Sequence, residues 1–219
     1  MIKAVVFDFD GLILDTETVW FECYKEVLAR YRLELTLEQF APSIGTHNDD
    51  FRNYIERELK ESGIGLTIEQ EVSAMIPGRV DMLQARAGVQ SYLEEAKGLG
   101  LRIALATSSD RKWIEYYLQR LELRDYFEVI KTSDDVSAVK PDPELYLRVI
   151  DELRIPAHEA VAFEDSLNGL RAAKGAGLHC TIVPNPVTSF LPFEHYDLRL
   201  ASMEDMSLAD VLNRLQSQV

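Results

Sequence analysis

Two aspartates close the stretch Val5-Val6-Phe7-Asp8-Phe9-Asp10, which otherwise reads as a strand covered on both faces. Side chains alternate across a strand, so Asp8 and Asp10 share one side and Phe9 points away. Carboxylates held that close repel one another and resist burial unless a cation lies between them. One acid would suffice for a turn. The pair points to chemistry.

Three further stretches put reactive groups where strands should end. Thr107, Ser108 and Ser109 follow the apolar run LRIALA, and Asp110 is placed to cap the helix after them. Lys140 stands directly before Pro141, Asp142 and Pro143, and Glu164 with Asp165 follows AVAF. Singly, each has an ordinary reading as a turn residue, a helix start or a solvated loop lysine. Together they form a set that ordinary turns do not need. Clustered carboxylates make a hard oxygen site, suited to Mg2+ shared with waters and a substrate phosphate. Hydroxyls at a helix start donate to an oxyanion, and a lysine adds a point charge. The sequence contains no GxxxxGK[ST] loop, so nucleotide cradling by that device is unsupported.

The surrounding elements must bring these stretches together. From residue 86 onward, short apolar runs (LRIALAT, YFEVIKTS, AVAFED, HCTIVP, DLRLA) alternate with helical patterns. Asp142 and Pro143 read as cap and first turn of the helix PELYLRVIDEL. This alternation predicts an α/β fold, a Rossmann-like parallel sheet with helices on both faces. In such a sheet all strand carboxyl ends lie along one edge, so the four stretches meet in one crevice.

Residues 17–85 show no convincing strand. Trp20, Cys23, Tyr24, Val27, Leu28 and Tyr31 recur at helical spacing, and TLEQ at 36–39 and TIEQ at 67–70 both fit capping boxes. The expected organisation is a core of residues 1–15 and 86–219 with an α-helical insert over 16–85. The insert leaves the sheet at the crevice where such folds bind ligands, a place for a lid. Its aromatic stripe is expected to be mainly its own core.

The chain has 219 residues, 47% hydrophobic, with a formal net charge of −14. That acidity argues against nucleic acid or an anionic membrane surface as partner. No apolar run approaches the roughly 20 residues of a membrane span, and no signal-peptide pattern opens the sequence, so a cytoplasmic location is expected. Cys23 and Cys180 read as reduced buried thiols. The histidines, at 47, 158, 179 and 195, are too scattered for a His-based metal site. A monomer is the expectation.

DFDGLILDTE, the TSS after a strand, KPDPELY and FEDSLNGLRAA resemble, in order and spacing, the four motifs of the haloacid-dehalogenase superfamily. The insert resembles the helical cap of its β-phosphoglucomutase-like subfamily, and the match covers nearly the whole chain. The resemblance implies that Asp8 is the nucleophile and forms an aspartyl-phosphate. Asp10 would protonate the leaving oxygen and then activate water. Thr107 and Ser108 would hold the phosphoryl oxygens beside Lys140. Asp8, Asp165 and the backbone carbonyl of Asp10 would bind Mg2+, with Glu164 assisting directly or through water. The substrate-contact candidates toward the cap are Thr16, Trp20, Gly45, Thr46, His47 and Asn48.

The second aspartate argues against a dehalogenase, whose leaving group needs no acid. The expected activity is a magnesium-dependent phosphatase for a small phosphorylated metabolite, of the sugar phosphate or phosphoglycolate type. A phosphosugar mutase is the alternative. Such mutases generally carry histidine where this chain has Trp20, and an arginine in the loop where Thr46, His47 and Asn48 follow Gly45. Arg52 and Arg79 are the cap's candidate cations for a second phosphate, though more plausible as exposed helix charges. A third reading is a non-catalytic phosphoaspartate or ligand-binding regulator. Where family members often have Pro-Gly at the cap's return, this chain has Ala87-Gly88, which would loosen that hinge.

Overall fold

The computed structural model describes residues 1–44 and 49–217. Strand β1 (Ala4–Phe7) sits at the centre of a six-stranded sheet with β2 (Arg102–Ala106), β3 (Val129–Lys131), β4 (Ala160–Glu164), β5 (His179–Ile182) and β6 (Leu198–Arg199). The order is β3-β2-β1-β4-β5-β6, and every pairing is parallel. Parallel neighbours need crossovers, and helices supply them as far as β5, while residues 183–197 join β5 to β6 without a helix and the last helix follows β6. The helices are α5 (Val89–Gly98), α6 (Arg111–Arg120), α7 (Glu144–Leu153), α8 (Leu167–Gly175) and α9 (Leu208–Gln216). This is the expected Rossmann-like α/β core.

Alternation along β1 divides the apolar interior into two layers. Val5, Phe7 and Phe9 face one layer, while Ala4 and Val6 face the other. Register then fixes the level of the reactive residues. Phe7 is aligned with Leu105 on β2 and Phe163 on β4, so Asp8, Thr107, Glu164 and Asp165 emerge within about one residue of the same height.

Between β1 and α5 the described residues contain helices and no named strand. They are α1 (Thr16–Arg30), α2 (Leu37–Phe40), α3 (Asp49–Leu59) and α4 (Ile64–Val80). Helices α1 and α3 both pack on α4. Tyr24, Phe40 and Phe51 form an aromatic cluster with centroids 5.0–6.0 Å apart. Along the first helix's stripe Cys23, Tyr24, Val27 and Leu28 are buried, while Trp20 and Tyr31 are only partly so. The capping box at Thr36 and Gln39 is present. The one at TIEQ is not, because α4 begins earlier with Gly63 at its cap position. Ile64 is buried with Ile68, Val72 and Ile76, and that apolar spacing carries the helix a turn upstream of Thr67. Helix α7 likewise starts one residue later than the sequence suggests. Pro143 takes the cap position, and Asp142 Oδ1 still accepts the Glu144 N–H at 2.9 Å.

Where the chain comes back to the sheet, Arg86 rather than a proline makes the ties. Arg86 N–H donates to Ile13 O at 2.8 Å, and its guanidinium donates to Gly11 O, Val183 O and Pro184 O, binding the two linkers to the core. Among the described residues, no helix is long and apolar enough to cross a membrane.

Candidate active site

The sheet's carboxyl edge and the insert enclose a cavity of about 420 Å³. Asp8, Asp10, Thr107, Ser108, Lys140 and Asp165 line it from the sheet side. Lys140 Nζ lies 2.7 Å from Asp8 Oδ1 and 2.7 Å from Glu164 Oε1, with all three side chains buried or nearly so. Burial alone would lower the lysine's pKa, but the two carboxylates more than offset it and hold the ammonium above its ordinary value. Tyr146, from α7, donates its hydroxyl to the same Glu164 oxygen.

Asp8, Glu164 and Asp165 each place a carboxylate oxygen within 4.8 Å of the others'. Burial pushes the Glu164 carboxyl up to about 7, helped by Asp8 and opposed by Lys140 and Tyr146. Burial also raises Asp165 well above the usual range, with Asp8, Glu164 and Glu17 adding to it. Lys140 pairs with two of these three carboxylates, while Asp165 has the charge of Arg86 opposing its rise. Glu164 Oε2 is buried without a hydrogen-bond partner, an oxygen that a cation or its water shell would satisfy. Hard oxygen donors, an excess of negative charge and an unpartnered oxygen fit a divalent cation such as Mg2+.

Two side chains that the sequence did not single out shape this corner. Asn185, following β5, donates to Asp165 Oδ2 at 2.7 Å and to Gly11 O at 3.3 Å. Gly11 has φ +83, and a Cβ there would lie 2.2 Å from Asp165 Oδ2, so only glycine fits the turn after Asp10. Asn185 breaks out of a strand between two prolines, the same strand-end signal that marked the other acids. Tyr146 carries no such signal, since its helical position reads simply as core.

Asp10 is treated differently from its neighbours. Its Oδ1 accepts from Thr16 Oγ1 at 2.9 Å and Trp113 Nε1 at 3.1 Å, and its Oδ2 accepts from Ser109 Oγ at 2.6 Å. Burial raises its pKa, the Ser109 hydrogen bond opposes that, and Asp8 adds to the rise. Its carboxylate is turned to these donors and is not among the grouped oxygens; the sequence reading assigned its backbone carbonyl to the cation. Ser109, grouped from the sequence with the hydroxyls that would donate to an oxyanion, instead donates to Asp10. Thr107 Oγ1 accepts the Ser109 N–H at 3.1 Å, and Ser108 Oγ is buried with no partner.

From the insert, Glu17, Trp20, Tyr24, Phe40 and Ser43 line the same cavity. Trp20 is therefore at the site, and Thr16 reaches it through Asp10. Gly45, Thr46, His47 and Asn48 lie outside the described residues. Arg79 pairs with Glu26, and Arg52 lies 3.3 Å from Glu69; neither lines the cavity. Among the described lining residues, Lys140 is the one lysine or arginine.

A parallel sheet whose carboxyl edge gathers these acids, the hydroxyls and a buried lysine matches the haloacid dehalogenase-like hydrolase family, whose model aligns with residues 5–183. The chain belongs to that family and is a phosphomonoester hydrolase. Putative phosphatase YhcW of Bacillus subtilis (strain 168) is 48% identical to it, across 100% of both chains. The phosphorylated carbohydrates phosphatase of Thermotoga maritima is 33% identical, covering 80% of this chain and 82% of that protein. CbbY from Rhodobacter sphaeroides, solved in complex with xylulose-(1,5)bisphosphate, has a TM-score of 0.76 and 30% identity, with 95% of this chain and 98% of that one covered.

Proposed function

We propose that this hydrolase is a Mg2+-dependent phosphatase for the monophosphate of a small carbohydrate, working through an aspartyl-phosphate. The observation that carries the reading is the separation of two neighbouring carboxylates. Asp8 is tied to Lys140, while Asp10 is held by three other donors. Different environments give paired acids different roles.

In the first half-reaction an Asp8 oxygen forms a bond to phosphorus. The phosphorus–oxygen bond to the sugar breaks, and Asp10 delivers its proton to the departing oxygen. Water then gives a proton to Asp10 and attacks phosphorus, releasing phosphate and the Asp8 carboxylate. Ser108 Oγ and Thr107 donate to the phosphoryl oxygens, and Lys140 fixes the nucleophile and offsets charge. Asp8, Asp165 and the Asp10 carbonyl would hold the cation, with Glu164 assisting. When bound, it neutralises negative charge shared by the phosphoryl group and these carboxylates.

Substrate size and charge are read from the lid side. Residues 16–85 serve as the cap of a core formed by 1–15 and 86–219, and the cap limits entry to something small. Trp20, Tyr24 and Phe40 offer apolar faces, and Glu17 and Ser43 offer polar groups that suit sugar hydroxyls. No described cap residue of the cavity is a lysine or arginine, which favours a monophosphate over a bisphosphate or a mutase intermediate. The names of the Bacillus and Thermotoga relatives support a phosphatase for carbohydrate phosphates, and CbbY supports a sugar skeleton while its ligand carries two phosphates. We place the enzyme in the cytoplasm as a monomer, where its two buried thiols stay reduced.

The test is phosphate release from a panel of hexose, hexitol and pentose monophosphates, phosphoglycolate and one bisphosphate, with β-glucose 1-phosphate followed for glucose 6-phosphate. Release that disappears with chelator and with Asp8→Asn is the expected result. Glucose 6-phosphate without free phosphate would make the protein a mutase. A protein phosphorylated on Asp8 whose Asp10→Ala variant behaves as wild type would make it a regulator.

A further inference from the structure

Asp10 is held by donors of two kinds. The hydroxyls of Thr16 and Ser109 rotate, and each can accept as well as donate. The indole N–H of Trp113 only donates, and it lies 3.1 Å from Asp10 Oδ1. Its ring stands on firm support. The Trp113 main-chain N–H donates to Asp110 Oδ1 at 2.8 Å in the first turn of α6, and the indole packs edge-on against Tyr117 at 4.5 Å. Tyr117 is buried and carries the Arg120 guanidinium 5.4 Å from its ring centroid. Arg120 in turn donates to the carbonyls of Asp81 and Leu83, where the insert returns to the core. The donor is therefore mounted on packed helices rather than on a loose loop.

We infer that Trp113 is a positioning residue for Asp10, its N–H fixing the direction in which the carboxyl faces the departing sugar oxygen. With the indole removed, Thr16 and Ser109 can follow the carboxyl through a rotation, because their hydroxyls turn with it. With the indole present, Oδ1 has a partner that cannot reverse, so Oδ2 beside Ser109 is the oxygen that carries the transferred proton. The inference rests on the reading of Asp10 as the acid.

Trp113→Phe keeps an aromatic ring next to Tyr117 but removes the N–H together with the rest of the indole's second ring, so the comparison between two substrates, not the fall itself, isolates the N–H. Its kcat/KM is compared on two substrates, the best sugar phosphate of the panel and p-nitrophenyl phosphate, whose leaving group departs without a proton. Loss of aim at the acid should cost roughly tenfold or more on the sugar phosphate and less than about twofold on the aryl ester. Trp113→His, which returns a ring N–H, should recover part of the loss. An equal fall on both substrates, or no fall on either, would overturn the positioning role. Asp10→Ala through the same pair separates the two failures. If that variant shows no split, the reading of Asp10 is wrong; if it alone shows one, only the part given to Trp113 is wrong.

Discussion

A Cβ on Gly169 would lie 1.8 Å from Glu164 Oε2, so the carboxylate occupies the space that any other residue at 169 would fill. The gap lies in the first turn of α8, where Ser166 Oγ accepts the Gly169 N–H at 3.0 Å. It lets Glu164 stay folded against the helix start while reaching Lys140 and Tyr146. Alanine would normally gain about 0.5–1 kcal/mol over glycine inside a helix. Here overpacking, at about 1–3 kcal/mol, should win, and Gly169→Ala should lower the urea midpoint and weaken cation binding. A stabilised variant would show that Glu164 can step aside freely.

Lys140 answers two buried carboxylates at 2.7 Å each, so its removal is worse than the loss of one surface pair. Lys140→Met leaves both acids without their ammonium. Breaking a buried pair in this way should cost about 3–5 kcal/mol, read from denaturant unfolding in the presence of chelator. Turnover should fall at least about a hundredfold, since the bare nucleophile repels the phosphoryl group. Unfolding unchanged within error would mean that the acids protonate or rehydrate without consequence for the fold.

Much of this arrangement was legible before the structure. Asp8, Glu164 and Asp165 could be brought together because apolar strand runs announce a parallel sheet, and a parallel sheet aligns its carboxyl ends. Lys140, expected at a strand end, instead comes from the loop between β3, which ends at Lys131, and α7, and reaches the acids from there. Other parts were not legible. Trp113 meets Asp10 across 103 positions, and nothing in the pattern of an amphipathic helix says which aromatic turns toward a distant acid. Tyr146 reads as one more buried residue of α7 until Glu164 is seen beside it. The start of α4 was misplaced because a local capping pattern at Thr67 competed with burial of Ile64, and burial decided.

Removing the cation should expose the charge imbalance of the site. Three grouped acids with one lysine predict that the folded protein binds Mg2+ and the unfolded chain does not. At a hundred times its dissociation constant, Mg2+ should add about 2.7 kcal/mol to unfolding stability, and chelator should remove it. Asp165→Asn should abolish most of that increment while leaving the cation-free protein as stable as before, or more so. A melting temperature indifferent to Mg2+ in the wild type would rule out the acid group as a cation site.

Glu144 gives a pH dependence away from the reacting groups. Its carboxylate accepts from Ser137 Oγ at 2.7 Å, from Ser137 N at 2.9 Å and from Arg148 at 2.9 Å, so it pins the loop leading to Lys140 onto the first turn of α7. The Ser137 hydroxyl and then Arg148 hold its pKa down to about 2, from an ordinary 4.5. A depressed acid stabilises the fold above its unfolded pKa, and that contribution fades as pH falls from about 4.5 toward 2. Glu144→Gln should therefore unfold more easily than wild type at neutral pH, with the gap between the two narrowing below pH 4.5. Urea midpoints for both proteins at pH 7, 5, 4 and 3 would measure it, each pair compared at one ionic strength. A gap that stays constant down to about pH 3 would mean that the amide replaces the carboxylate's hydrogen bonds in shape but not in strength, and that charge plays no part.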